Sequence, residues 1–110
     1  MRSNFDNPMK LDKDGVAEAC GPLEWHGETE ASVTVTITQD KVEGTASGSF
    51  SPPADEWMLE VRPSDPHKKF KKGQAHGQGE LRAVPSAPAA EDPFPWGQDV
   101  DLDPKAPDET

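Results

Sequence analysis

The chain contains few of the residues that cross-link or anchor small proteins. Cys20 is the single cysteine among 110 residues, which excludes an internal disulfide framework and a zinc site made of cysteines alone. Hydrophobic residues make up 32% of the chain, so the core is sparse, and a protein partner or a second copy is expected to complete it. No run approaches the roughly 20 apolar residues of a membrane span, and the first residues lack the apolar stretch of a signal peptide. These absences predict a cytoplasmic protein without membrane attachment.

Motifs for catalysis and cofactor binding are also missing. There is no GxxxxGK[ST] phosphate loop and no GxGxxG dinucleotide motif. Residues 44–48 read Gly-Thr-Ala-Ser-Gly, which puts the serine one position away from a nucleophile elbow and inside a predicted strand. The three histidines lack the pairwise spacing of metal ligands, and residues 12–15 resemble only a fragment of a calcium loop. The sequence therefore predicts a protein that is not an enzyme and has neither cofactor nor metal.

Strict alternation is the clearest structural signal in the chain. In residues 32–38, branched apolar side chains alternate with threonines, which is the period of a half-buried β-strand. A similar alternation recurs in residues 42–50, 56–62 and 74–83. These patterns predict an all-β protein with five to six antiparallel strands, forming a small sandwich or a partly open barrel.

Composition divides the chain into three parts. Residues 1–27 show no clean period and contain Asn-Pro and Gly-Pro turn signals, so they are predicted to form an irregular N-terminal arm. Residues 28–84 are predicted to form the antiparallel β-domain. Residues 85–110 begin as a Pro/Ala-rich linker and continue as an acidic tail, with a possible edge strand at 98–103.

Two stripes of small residues, 44–48 and 75–79, fall on the predicted inner face of the sheet. Glycine inside a strand commonly marks the close approach of something large. The expected occupants are the rings of Trp25, Trp57 or Trp96. A ligand groove over the same residues is the alternative interpretation.

The net charge of -10 is unevenly distributed. Residues 85–110 carry seven acids against the single base Lys105, whereas four lysines surround Phe70. An aromatic residue among lysines can bind single-stranded nucleic acid, but an acidic protein repels a polyanion. Phe70 is therefore predicted to point inward, and nucleic acid is not an expected partner. Three alternating aspartates after residue 98 are predicted to cover an edge strand rather than to bind calcium.

A protein-binding or assembly module is the function that these features favour. Two prolines stiffen residues 93–96, Pro-Phe-Pro-Trp, which lowers the entropy cost of docking the aromatic rings into a groove. That groove belongs to the same chain, to a second copy or to another protein, and in the first case the tail would cover the lysines. The predicted partner-binding residues are Trp57, Phe94, Trp96, Lys68, Lys69, Phe70, Lys71, Lys72, Asp99, Asp101 and Asp103.

Two alternative functions stay open at this point. An acidic inhibitor or immunity-type protein would occupy a basic site on a target, and would need its glutamates at 24, 28, 30, 43, 56 and 60 to form one contiguous patch. A small-ligand or sugar-binding β-domain would instead use the outer face of the sheet, where threonines 34, 36 and 38 are expected beside hydroxyls at 45, 47 and 49. The ordinary explanation of such a row is cross-strand pairing on a wetted surface.

Overall fold

The structure is a computed structural model that describes residues 3–84 and 94–104. Within these ranges the chain forms strands and no helix, and hence no helix that could cross a membrane. The all-β prediction is confirmed, but the strand number is higher than five or six. The strands are β1 (Met9–Leu11), β2 (Ala17–Pro22), β3 (Glu30–Gln39), β4 (Val42–Phe50), β5 (Glu56–Val61), β6 (Gly73–Val84) and β7 (Phe94–Asp103).

The seven strands form one sheet in the order β4-β3-β6-β7-β1-β2-β5, which curls into a nearly closed barrel. Neighbouring strands are antiparallel except β1 and β7, which run parallel. The two edge strands meet near the end of β5, where the backbone N–H of Ser64 donates to the carbonyl of Glu43 at 2.8 Å. A Cβ on Gly44 would lie 2.2 Å from the carbonyl oxygen of Arg62, so this seam closes only because position 44 lacks a side chain.

The prediction of an irregular arm over residues 1–27 is wrong for two segments, because β1 and β2 belong to the barrel. β2 pairs with β5 from Ala17↔Val61 to Pro22↔Glu56. β1 has only three residues, too few to show a period, and β2 reads Ala-Glu-Ala-Cys-Gly-Pro without a branched apolar residue. Tertiary pairing rather than local propensity makes these segments strands.

The predicted edge strand at 98–103 is longer than expected and lies inside the sheet. β7 pairs with β6 from Leu102↔Gly73 to Phe94↔Leu81, and its other side pairs with β1 at Met9 and Lys10. Pro95 argues against an interior strand because proline cannot donate to a ladder. It is tolerated because the β1 ladder reaches only the C-terminal end of β7.

Large aromatic rings fill the barrel opposite glycines. The centroids of Phe5, Trp57 and Trp96 lie 5.3–6.1 Å apart. A Cβ on Gly79 would lie 2.2 Å from the Trp96 ring, and one on Gly77 would lie 2.6 Å from the Phe5 ring. The prediction that a tryptophan covers a small-residue stripe is confirmed for Trp96, whereas Phe5 was not predicted to enter the core.

Candidate functional site

The aromatic residues that were predicted to bind a partner pack within the barrel of their own chain. Trp57 is fully buried, and its Nε1–H donates to Ser3 Oγ at 2.8 Å. Phe94 and Trp96 are half-buried and stack on each other with centroids 6.0 Å apart. The Pro-Phe-Pro-Trp segment thus contributes its two rings to the sheet of the same chain, although Pro93 lies outside the described residues.

The acidic row consists of Asp99, Asp101 and Asp103, which follow the outer face of β7 between the buried residues Val100 and Leu102. Asp99 Oδ1 lies 2.9 Å from Nδ1 of His76 on the neighbouring strand. Near the end of β7, Asp101 and Asp103 line a concavity of about 380 Å³ together with Lys72. The row therefore runs from the middle of the sheet to the loop that carries the lysines.

That loop, residues 62–72, joins β5 to β6 and closes one end of the barrel. Phe70 is 2% exposed and belongs to the core, so it points inward as predicted, and its ring does not face a partner as its place among the predicted partner-binding residues would require. Its backbone N–H donates to the carbonyl of Gly15 at 3.1 Å. The inward position of Phe70 leaves the lysines on either side of it exposed.

Gln39 holds the same loop from inside the barrel. Its Oε1 accepts a hydrogen bond from the Lys71 backbone N–H at 2.7 Å, and its Nε2 donates to the Lys71 carbonyl at 2.7 Å. The side chain is buried at the end of β3, on the inward phase of that strand. Sequence reasoning did not identify it, although its phase in the alternating pattern already places it inward.

We define the lysine end as the side chains of Lys41, Lys68, Lys69, Lys71 and Lys72, all of which are exposed. In residues 3–84 and 94–104, none of these ammonium groups pairs with a carboxylate. Lys68 Nζ donates to the Lys41 carbonyl at 3.2 Å. Asp65, the acid within the loop, accepts the backbone N–H of His67 at 2.9 Å and so shapes the turn. The lysine end thus joins four lysines of a firmly attached loop with Lys41 of the turn between β3 and β4.

A concavity of about 440 Å³ lies within the lysine end. Val42, His67, Lys68, Lys69 and Lys71 line it. Val42 is half-buried and packs against the core, so the concavity combines an apolar wall with ammonium groups. This combination suits a ligand that carries both carboxylates and an apolar side chain.

The opposite end of the barrel carries acids. The backbone N–H groups of His26 and of Glu28 itself donate to the Glu28 carboxylate, and they hold the pKa of Glu28 below its ordinary value. Glu24 forms an exposed ion pair with His26 at 3.4 Å.

Potential metal ligands come together at one place in the described ranges. One ligand atom each from Asp6, Cys20 and Glu56 lies within 4.8 Å of the others. The Cys20 thiol donates to Asp6 Oδ2 at 3.6 Å, so the group is joined by a hydrogen bond within the protein. His76 lies elsewhere, on the outer face of β6, with about half of its side chain exposed.

Comparison with protein-family models, with curated proteins and with solved structures gives no match. The geometry must therefore carry the functional argument. Exposed ammonium groups around a partly apolar concavity offer charge and hydrogen-bond donors to an anionic ligand.

Proposed function

We propose that this protein is a non-enzymatic protein-binding module whose lysine end binds an acidic segment of another protein. The observation that carries the proposal is a set of five lysines that form no ion pair among the described residues, four of them on a loop fixed by Phe70 and Gln39, in a chain of net charge -10. Lysines that lie close together repel one another, which raises the free energy of the free protein, and an anionic partner relieves that repulsion.

The attachment of the loop favours binding over mere solubility. Three backbone hydrogen bonds at residues 70 and 71 connect the loop to Gly15 and Gln39. Because the backbone is ordered before a partner arrives, association loses less conformational entropy. Lysines that serve only solubility do not need such fixation.

An acidic protein segment fits the lysine end better than nucleic acid does. Phe70 is buried, so no ring of the loop is available for base stacking. A long polyanion would also meet the acidic remainder of the chain, while a short segment contacts only the cationic surface. The apolar wall at Val42 provides a contact for a hydrophobic side chain between two acids.

The alternative of an acidic inhibitor receives less support from the geometry. Glu30 lies at the first residue of β3, whereas Glu43 pairs with Thr38 near its last residue. Over eight residues of extended chain the separation is about 27 Å. Glutamates at both ends of the barrel do not form the one patch that an inhibitor of a basic site needs.

The proposed location of the protein is the cytoplasm.

Fluorescence anisotropy with a labelled peptide of alternating glutamate and leucine tests the proposal. We expect binding by the full chain that weakens as sodium chloride is added. Replacing Lys68 or Lys71 with glutamine should each raise Kd about two- to fivefold, the range for one exposed ion pair. Arg82→Gln removes the same charge near the C-terminal end of β6 and is the matched control, because Arg82 pairs with Glu80 away from the loop.

Three results would contradict the proposal: absence of peptide binding, equal weakening by Arg82→Gln, or tighter binding of a single-stranded oligonucleotide of equal charge. Light scattering on the same samples measures self-association. A dimer that dissociates when Lys68 is replaced would assign the lysine end to a second copy of this chain instead.

A further inference from the structure

Gly97 is a strand glycine that the protein's own packing does not require. A Cβ at position 97 would meet only the His76 ring at 3.6 Å and the Gly77 carbonyl at 4.0 Å, which are ordinary contacts. Its φ lies outside the left-handed region. By contrast, a ring lies against Gly79 and the backbone of Arg62 lies against Gly44. A glycine in an exposed strand weakens that strand, and one physical reason to have one is close approach of a ligand to the backbone.

A groove opens over this glycine on the outer face of the sheet. We call it the outer groove; it has a volume of about 530 Å³, and its lining includes Thr34, Thr36, Gln78, Glu80, Pro95 and Gly97. The register explains how these residues meet, because Thr36, Gln78 and Gly97 lie side by side on β3, β6 and β7. The volume falls in the range of roughly 300–1,000 Å³ that is typical of small-molecule sites.

The polar groups around the outer groove can both donate and accept hydrogen bonds. Among the described residues, the Thr34 hydroxyl and the Gln78 amide have no hydrogen-bond partner. Glu80 uses Oε1 to accept from Arg82 Nε at 2.8 Å, which leaves Oε2 as an acceptor. Hydroxyl, amide and carboxylate groups together match the hydroxyl groups of a sugar, each of which donates and accepts.

Other ligand classes fit the outer groove less well. Its floor is the paired ladder of β3, β6 and β7, so the backbone cannot accept an added peptide strand, which needs a sheet edge. Within the described ranges the lining includes the Glu80 carboxylate but no lysine or arginine, so it offers phosphate no opposite charge. A neutral ligand that is bound through side chains needs neither a free sheet edge nor a cationic lining.

We infer that the outer groove binds a neutral carbohydrate about the size of a disaccharide, with the sugar ring seated over Gly97 between Gln78 and Pro95. This site is separate from the lysine end, because it lies across the middle of β6 whereas the lysine end precedes that strand. An experiment can therefore contradict carbohydrate binding at the outer groove without contradicting acidic-segment binding at the lysine end, and the reverse.

Titration of the full chain with maltose, cellobiose, lactose and diacetylchitobiose, followed in amide NMR spectra, tests the inference. We expect at least one of these sugars to shift the Gly97 backbone amide and the Gln78 side-chain amide. Gln78→Ala should raise Kd about tenfold, the effect of losing a good hydrogen bond. The matched control is Gln74→Ala, which removes an exposed glutamine from the same face of the same strand but outside the groove.

Gly97→Val gives the sharpest test because it fills the outer groove with a residue that strands favour. We expect sugar binding to disappear while the thermal midpoint stays the same or rises. The inference is overturned if none of the sugars shifts the Gly97 amide, or if Gly97→Val or Gln78→Ala binds as the unaltered chain does. Acidic-peptide binding should be the same in Gly97→Val, which separates this site from the lysine end.

Discussion

Individual glycines, which lack a side chain, make room for the aromatic rings inside the barrel. Gly79 lies on the inner face directly beneath Trp96, whereas Gly97 lies on the outer face, where an added Cβ would make only ordinary van der Waals contacts. Alternation in the sequence correctly placed the small residues at 75–79 inward, but it could not say which ring covers each one. That choice depends on Phe5, which comes from a segment without any periodic pattern.

Replacing Gly79 with alanine is expected to destabilise the protein by about 1–3 kcal/mol, since the new methyl group would overlap the Trp96 ring. Urea denaturation followed by tryptophan fluorescence measures the loss. Gly97→Ala adds the same methyl group without overlap and should leave the free energy of unfolding equal or higher. Equal destabilisation by both substitutions would contradict the packing seen at Trp96.

Replacing Gln39 with leucine is expected to loosen the lysine end, because both backbone groups of Lys71 lose their partner. Leaving buried polar groups unpaired costs about 1–3 kcal/mol. Hydrogen exchange should show faster exchange at the Lys71 amide, and the acidic peptide should bind more weakly. Gln74→Leu makes the same change at an exposed position and should affect neither measurement. Unchanged exchange at Lys71 in the Gln39 variant would remove the argument for a fixed loop.

At the scale of strands, the long alternating segments were predictable and the short ones were not. β3 and β4 begin and end where alternation of apolar and polar residues begins and ends. β1 and β2 are too short or too poor in branched residues to give such a signal. β7 was predicted only from residue 98 onward, because a proline such as Pro95 argues against a strand. Only the sheet order shows that no strand of the described residues pairs with Pro95 on the side away from β6.

The place of β7 in the sheet predicts the outcome of truncating the chain. A chain ending at residue 84 lacks the strand between β6 and β1, together with the buried side chains of Val100 and Leu102. We expect it to be unfolded or aggregated, since the open edge and the uncovered core are both exposed. A chain ending at residue 104 retains all seven strands and should unfold at the same temperature as the full chain. Circular dichroism distinguishes the two, and a cooperatively folded product ending at 84 would contradict the sheet order.

Across the whole molecule, the acidic net charge contrasts with the local cluster of positive charges at the lysine end. The net charge of -10 acts against the compact state through self-repulsion, while the lysines of the lysine end are exposed. Sequence composition revealed this asymmetry along the chain. Composition could not reveal that the lysines share one end of a barrel, because that depends on Phe70 entering the core between them.

Salt should therefore change folding and binding in opposite directions. Adding sodium chloride at low ionic strength is expected to raise the thermal midpoint, because screening weakens the repulsion among excess acids. Each 1 kcal/mol of relieved repulsion corresponds to about 4–8 °C. The same salt should weaken acidic-peptide binding. Differential scanning calorimetry and anisotropy on one sample series measure both, and a midpoint that falls with salt would show that favourable charge pairs outweigh the excess acidity.

The hydrogen bonds between Phe5 and Gln98 join residues that are 93 positions apart. During synthesis the N-terminal segment leaves the ribosome long before its partner in β7 has been translated. Contacts of such long sequence separation form late and slowly. The nascent chain therefore cannot complete the cluster of Phe5, Trp57 and Trp96 until nearly all of the barrel has emerged. This is the interval in which a chaperone can bind it and in which aggregation competes with folding.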